Sequence, residues 1–218
     1  MATGFQAIVE IQQSMSVNNR RMVGQQTTRS GQLYVAQYLT TVPWVFTITP
    51  HQYLYYPQVR DVIQSIDNLD RQNVDTIIFN SNNLKWFTAY QGDLTPTQYN
   101  ALTIAAVPPT NSQIITIGTL PSVPSTYFVF KQGDFIQIGN YVYKVAQSVT
   151  RGSGTTISVQ LHRPIIGTIG TGILTAVGND VQFTVVAQEC PTYTLTPMAN
   201  GAFVKWDGNF VFREYVVG

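Results

Sequence analysis

Apolar and polar residues alternate with a period of two along much of the chain, so strands are the expected element. The run SGQLYVAQYLTTVPWVFTIT, residues 30–49, is rich in Tyr, Val and Thr and lacks helix caps. It predicts two strands, near residues 32–39 and 44–48, with a bend at Thr41-Val42-Pro43. After Pro124, four short β runs follow closely, at residues 127–130, 135–138, 141–149 and 156–161. They are separated by Lys131-Gln132-Gly133-Asp134, Gly139-Asn140 and Arg151-Gly152-Ser153-Gly154, and this spacing predicts a small barrel or sandwich. Residues 181–187, 193–196, 203–206 and 210–215 also read as strands. Asp207-Gly208-Asn209 predicts a hairpin joining the last two.

One segment changes period. In residues 57–70, Val59, Val62, Ile63, Ile66 and Leu69 fall on one stripe with i, i+3, i+4, i+7 spacing, the signature of an amphipathic helix. Pro57 suits a first helical turn, where its missing N–H has no partner to lose, and Asn73 can end the helix. It is the only convincing helix in the sequence, and its stripe should lie across a sheet. Residues 74–79 then read as a strand and 80–83 as a polar turn. Residues 84–90 are a further strand candidate, and 99–107 fit either a short helix or a strand, stopped by Pro108-Pro109. Residues 114–117 form a short β run, and 166–172 read as flexible linker. The expected class is mainly β, with α+β character in the N-terminal part.

Composition narrows the possible roles. Charged residues make up 11% of the 218 positions, against roughly 25% in an ordinary soluble domain. Gln, Asn, Thr, Ser and Tyr must therefore clothe the surface, as in permanent interfaces, whose cores are poor in charge and rich in aromatics. A neutral secreted β-protein is the competing reading. The net charge of +1 favours neither nucleic acid nor membrane. Arg20-Arg21 with Arg29 is too sparse a cluster for a groove that tracks phosphates. A single cysteine, Cys190, excludes an internal disulfide. The N-terminal residues MATGFQAIVEIQQSM lack the basic and apolar regions of a signal peptide.

The residues of catalysis are thinly spread. His51 and His162 have no second ligand at metal spacing and read as structural. Cys190 has no cationic neighbour in sequence to activate it and reads as a buried structural cysteine. No nucleophile elbow, zinc motif, phosphate loop or dinucleotide fingerprint is present. Gly-Thr-Ile-Gly-Thr-Gly at 167–172 lacks the strand and helix that a nucleotide site needs. An enzyme and a cofactor are therefore not expected, although a glycosidase-like pair of carboxylates could be assembled by folding. Exposed aromatics would instead suit carbohydrate. Trp44 and Trp206 read as core, whereas Tyr53, Tyr55 and Tyr56 in HQYLYYP divide evenly between an interface and simple packing.

Three stretches, taken in order, resemble the distal tail proteins of bacteriophages. The first is Arg29-Ser30-Gly31-Gln32, then Trp44-Val45-Phe46, then the helix of residues 59–69. The second is Gly133-Asp134-Phe135-Ile136-Gln137-Ile138 with Val142-Tyr143-Lys144-Val145 and Leu161-His162-Arg163-Pro164. The third is Trp206-Asp207-Gly208-Asn209-Phe210-Val211-Phe212-Arg213-Glu214. Residues 89–124 match no pattern of that family. The resemblance implies a β-sandwich-like sheet with one helix, built from residues 1–84 and 178–218, and an inserted small β-barrel at 85–177.

The same resemblance implies a non-catalytic tail-tip or baseplate subunit that forms a ring, commonly hexameric, around the tail tube. Its other partners would be tube, hub and fibre proteins, with no specific nucleic acid and no membrane. It would be assembled in the host bacterial cytoplasm and end in the virion tail. Tyr53, Tyr55, Tyr56, Arg20, Arg21 and Arg29 are the candidate interface residues. The alternative role is a host-surface carbohydrate-binding module of a tail fibre or baseplate.

Overall fold

A computed structural model of the chain describes residues 4–20, 23–27, 29–37, 42–69, 73–109, 111–174 and 176–216. From the N-terminus run α1 (Gly4–Glu10), β1 (Gln12–Asn18), β2 (Val23–Thr27), β3 (Leu33–Gln37), β4 (Val45–Pro50), β5 (Leu54–Tyr55), α2 (Tyr56–Leu69) and β6 (Val74–Ile78). Next come α3 (Pro96–Tyr99), β7 (Thr103–Ala106), β8 (Ile114–Gly118), β9 (Phe128–Phe130), β10 (Phe135–Ile138) and β11 (Tyr141–Lys144). They are followed by β12 (Val149–Thr150), β13 (Ile157–Gln160), β14 (Gly172–Ile173) and β15 (Ala176–Val177). The last strands are β16 (Gln182–Glu189), β17 (Tyr193–Met198), β18 (Gly201–Trp206) and β19 (Phe210–Glu214). The chain is mainly β. It forms two compact units, one of Met1–Asn19, Pro43–Ile78 and Phe183–Gly218, the other of Arg20–Val42 and Phe79–Gln182. The β2–β3 hairpin thus groups with the second unit, although the sequence reading kept residues 1–84 together.

In the first unit a five-stranded sheet has the order β1-β4-β19-β16-β6. Strand β4 alternates as expected, with Phe46 and Ile48 buried. Its core is aromatic. Phe5 stacks on Phe212 at 4.6 Å, and Phe183 meets Phe46 edge-on at 4.9 Å and Trp44 at 5.7 Å. Trp44 and Glu214 lock one end of the β4–β19 pair. The Glu214 N–H donates to the Trp44 carbonyl at 2.8 Å, and the Trp44 N–H donates to the Glu214 carboxylate at 3.1 Å.

Helix α1 was missed in the sequence. Five of its seven residues are buried, and its polar face is only Gln6 and Glu10, too few positions in two turns to establish a period. The Gly4 and Phe5 N–H groups donate to Ser65 Oγ and Asp75 Oδ2, which serve its start in place of a cap. Gly4 has φ of +64°, and a Cβ there would lie 2.3 Å from Asp75 Oδ2, so only glycine fits. The Gln6 side-chain amide accepts from the Ile78 N–H at 2.8 Å and donates to the Ile78 carbonyl at 3.0 Å. Both groups of Ile78 point away from β16, so Gln6 closes the outer edge of β6.

A second sheet in this unit, β17-β18-β5, is antiparallel. Helix α2 lies against β18, β5 and α1 with Val59, Val62, Ile63 and Ile66 buried, as the stripe predicted. The expected hairpin across Asp207-Gly208-Asn209 does not form. β18 pairs with β17 and β5, whereas β19 pairs with β4 and β16, so Asp-Gly passes the chain between sheets. The real hairpin is β17–β18, turning at Asn200, whose φ is 69°.

The second unit is built from short ladders, β13-β8-β7-β14, β11-β10-β15 and β12-β9. They enclose one core that includes Ile117, Val129, Phe130, Ile136, Tyr143 and Val159. Among the described residues no closed barrel forms, which weighs against the expected inserted barrel. Residues 84–90 are turns, not a strand; the N–H groups of Leu84 and Lys85 fold back to the Ser81 carbonyl. The ambiguous 99–107 region divides into the end of α3 and strand β7.

Buried Asp134 staples this unit. Its carboxylate accepts the N–H groups of Gln91 and Lys131, each at 2.8 Å. Burial pushes its carboxyl above the usual value, against the backbone donors and the Lys131 charge that pull it down. A raised folded pKa means that the folded chain binds more protons than the unfolded one. The ionisation of Asp134 therefore costs stability as pH rises from the unfolded value, about 4, through the folded pKa.

Two outcomes follow from this packing. Ile66→Ala is expected to destabilise the first unit by about 2–5 kcal/mol in denaturant unfolding; a change below about 0.5 kcal/mol would show that its methyl groups are not core. Asp134→Asn replaces an acceptor with a donor facing N–H groups and is expected to lower stability. The gap to the native chain should narrow as pH rises from about 4 to 7, since only the native chain carries the ionisation cost. A gap that is constant or widens would contradict the raised carboxyl.

Candidate interaction surface

The sequence-predicted aromatic loop lies at the start of the three-stranded sheet. Directly opposed residues of antiparallel strands share a face, so Tyr55, Phe203 and Thr196 share one. Val204 and Leu54 point to the other face, where α2 covers Val204 completely. The uncovered face presents Phe203, Met198, Thr194 and Lys205, all exposed. It joins apolar area to hydroxyl groups with one charge. Leu195 on edge strand β17 opposes Val204 and so belongs to the other face, yet it is 43% exposed.

The three tyrosines have different fates. Tyr55 is half-buried; its hydroxyl donates to the Asn200 carbonyl at 2.9 Å, and its ring fills the space a Cβ at Gly201 would need. It therefore pins the β17–β18 turn to β5. Tyr56 is half-buried and opens α2. Tyr53 is 61% exposed with φ of 61°, a left-handed conformation that costs a side-chain-bearing residue roughly 1–2 kcal/mol. Strain in an exposed aromatic is the kind of feature found where a surface serves a partner. Of the arginines, Arg20 and Arg29 are exposed, and Arg21 lies outside the described residues. Arg20 and Arg29 fall in the second unit, whereas this sheet face belongs to the first.

Two clefts flank Trp206, which is buried between Tyr193 and Phe210, at 5.3 and 4.9 Å. One, about 330 Å³, is lined by Thr49, Gln52, Lys205, Asp207 and Asn209; the Thr49 hydroxyl and Asn209 Oδ1 are 2.9 Å apart across it. The other, about 350 Å³, brings Asp67 and Cys190 to one wall. Cys190 is half-buried at that wall rather than in the core, because β16 ends one residue before it and Pro191 follows. Among the described residues that line this cleft there is no Lys, Arg or His.

His51 is exposed, and His162 Nδ1 accepts the Lys144 N–H at 2.9 Å, a structural use. Among the described residues no three His, Cys, Asp or Glu side chains are placed to hold a metal ion. No described helix is long and apolar enough to cross a membrane.

Sequence reasoning located the tyrosine loop but missed the face beside it. Residues 193–198, YTLTPM, carry no charge and only weak alternation, so the sequence did not mark them as a surface. Because Tyr53 is strained, Tyr53→Gly is expected to stabilise the isolated chain by about 1 kcal/mol in denaturant unfolding. A loss of stability would show that the ring makes contacts within the chain that outweigh the strain.

No protein-family model matches this chain, and no curated protein is significantly similar to it.

Proposed function

We propose that the chain is a structural subunit of a bacteriophage tail tip or baseplate. It assembles with copies of itself as a ring around the tail tube and links the tube to host-binding components. The reading rests on the sequence resemblance, and one structural observation supports it most. Strand β1, QQSMSVN, is a seven-residue edge of the five-stranded sheet with no charge and no proline. Natural edges are normally guarded by lysine, proline, a cover or a bulge that twists the edge away. The opposite edge, β6, is covered by Gln6, and β17 carries Pro197; among the described residues, β1 shows a register shift near Gln12 and no comparable cover.

A ring needs two unlike surfaces on each copy, because only heterologous contacts close around a lumen. The first unit offers two: the edge of β1, and the sheet face of Phe203 and Met198. Both suit burial, since neither is dominated by charges that would have to be desolvated.

The test is the mass of the purified protein, alone and in particles, with electron microscopy of tail tips carrying a tag after exposed Ser153. Rings with the tag at the tail tip are expected. Ser14→Lys with Ser16→Lys, both at exposed positions on β1, should leave the monomer folded and reduce the ring to monomer. Tags spread along the tube or on the capsid would overturn the assignment. Rings of undiminished mass in the double variant would remove β1 from the contact.

A further inference from the structure

Of the three tryptophans, Trp44 and Trp206 are 1% and 7% exposed, while Trp86 in the second unit is 68% exposed. Leaving so large an apolar side chain in water forgoes about 1.5–3 kcal/mol of burial. Trp86 is held in place. Its indole N–H donates to the Asn83 carbonyl at 2.8 Å, within the turn over residues 81–88. Its ring stands edge-on to Phe87 at 6.1 Å. Phe87 in turn meets Phe79 at 5.0 Å and Phe135 at 5.2 Å, which anchors the platform to the unit's interior. With its only donor used internally, the indole offers outward an apolar π face in a fixed orientation.

We infer that Trp86 is a stacking platform for the apolar face of a sugar ring in a neutral glycan, with Asn82, Asn83 and Lys85 as its polar rim. A pyranose combines a C–H face with a fringe of hydroxyl groups, and this turn matches both parts. Asn82, Asn83 and Lys85 are exposed around the indole, and Asn82 Oδ1 already accepts from Lys85 Nζ at 3.2 Å. A protein-binding tryptophan would sit among exposed apolar neighbours that exclude water, whereas Phe87 and Leu84 here turn inward and the exposed positions of the turn, Asn82, Asn83 and Lys85, are polar. A nucleic-acid strand would need a basic track beside the ring, and Lys85 is the single cation in the turn. This inference is independent of ring formation, since it concerns a turn of the second unit.

Because the other two indoles are shielded, acrylamide quenching of tryptophan fluorescence reports on Trp86. Chitohexaose, cellohexaose and maltohexaose are titrated against the whole chain, with calorimetry for affinity. Protection by at least one of them is expected. Trp86→Ala should weaken that binding at least about tenfold, and Trp86→Phe should retain part of it. An unchanged melting temperature in both variants verifies the fold. No protection by any of the three glycans, or affinity within about twofold of the native chain in Trp86→Ala, overturns the inference. Protection by another particle protein but by no glycan also overturns it and makes Trp86 a protein anchor.

Discussion

The last strand of the chain is the central strand of its largest sheet. β19 lies between β4 and β16, and the reciprocal Trp44–Glu214 hydrogen bonds close it across 170 positions of sequence. Until β19 docks, β4 and β16 lack their common partner and Phe5 lacks the Phe212 ring it stacks on. The first unit is therefore completed only when β19 is present. The cost of that long closure is modest, because loop entropy grows with the logarithm of length, about 0.6 kcal/mol per doubling. The second unit's main segment leaves after β6 and returns at β16, which are neighbours in the sheet.

That arrangement decides which surfaces remain. The five-stranded sheet has two edges. A folded-back helix uses one glutamine to satisfy the backbone of the β6 edge, a local solution needing no charge. The β1 edge has no such cover among the described residues. The three-stranded sheet buries one face under α2 and leaves the other to Phe203, Met198 and threonines.

What the sequence revealed followed from how each element is buried. α2 was legible because it buries one stripe and exposes the rest, which produces a clean period. α1 was not, because its seven residues span two turns and only Gln6 and Glu10 mark a polar side. Residues 84–90, LKWFTAY, alternate like a strand, but the backbone folds back on Ser81 and leaves Trp86 outside. The Asp207-Gly208 signal was real as a turn and wrong as a hairpin. The alternation of β18 belongs to the face under α2, and that of β19 to the core of the other sheet, a distinction no local pattern carries. The tyrosine loop was found by composition alone. Only the φ of Tyr53 and the Asn200 carbonyl above Tyr55 separate a strained, exposed ring from a structural one.

The aromatic residues follow one further rule, set by their polar handles. Tyr55 and Tyr90 give their hydroxyls to the Asn200 and Val129 carbonyls, so each ring is fixed where its tip is satisfied. Trp86 satisfies its N–H within its own turn, which fixes its ring at the surface. An aromatic whose donor is spent locally can remain at the surface in one orientation, and a rigid side chain loses little entropy when something covers it. Electrostatics contributes little by comparison. The Lys131–Asp93 pair spans 3.9 Å with both side chains about 40% exposed, a geometry worth at most about 1 kcal/mol. Contacts made by this chain are therefore set by area, shape and backbone pairing, which act at short range and tolerate salt.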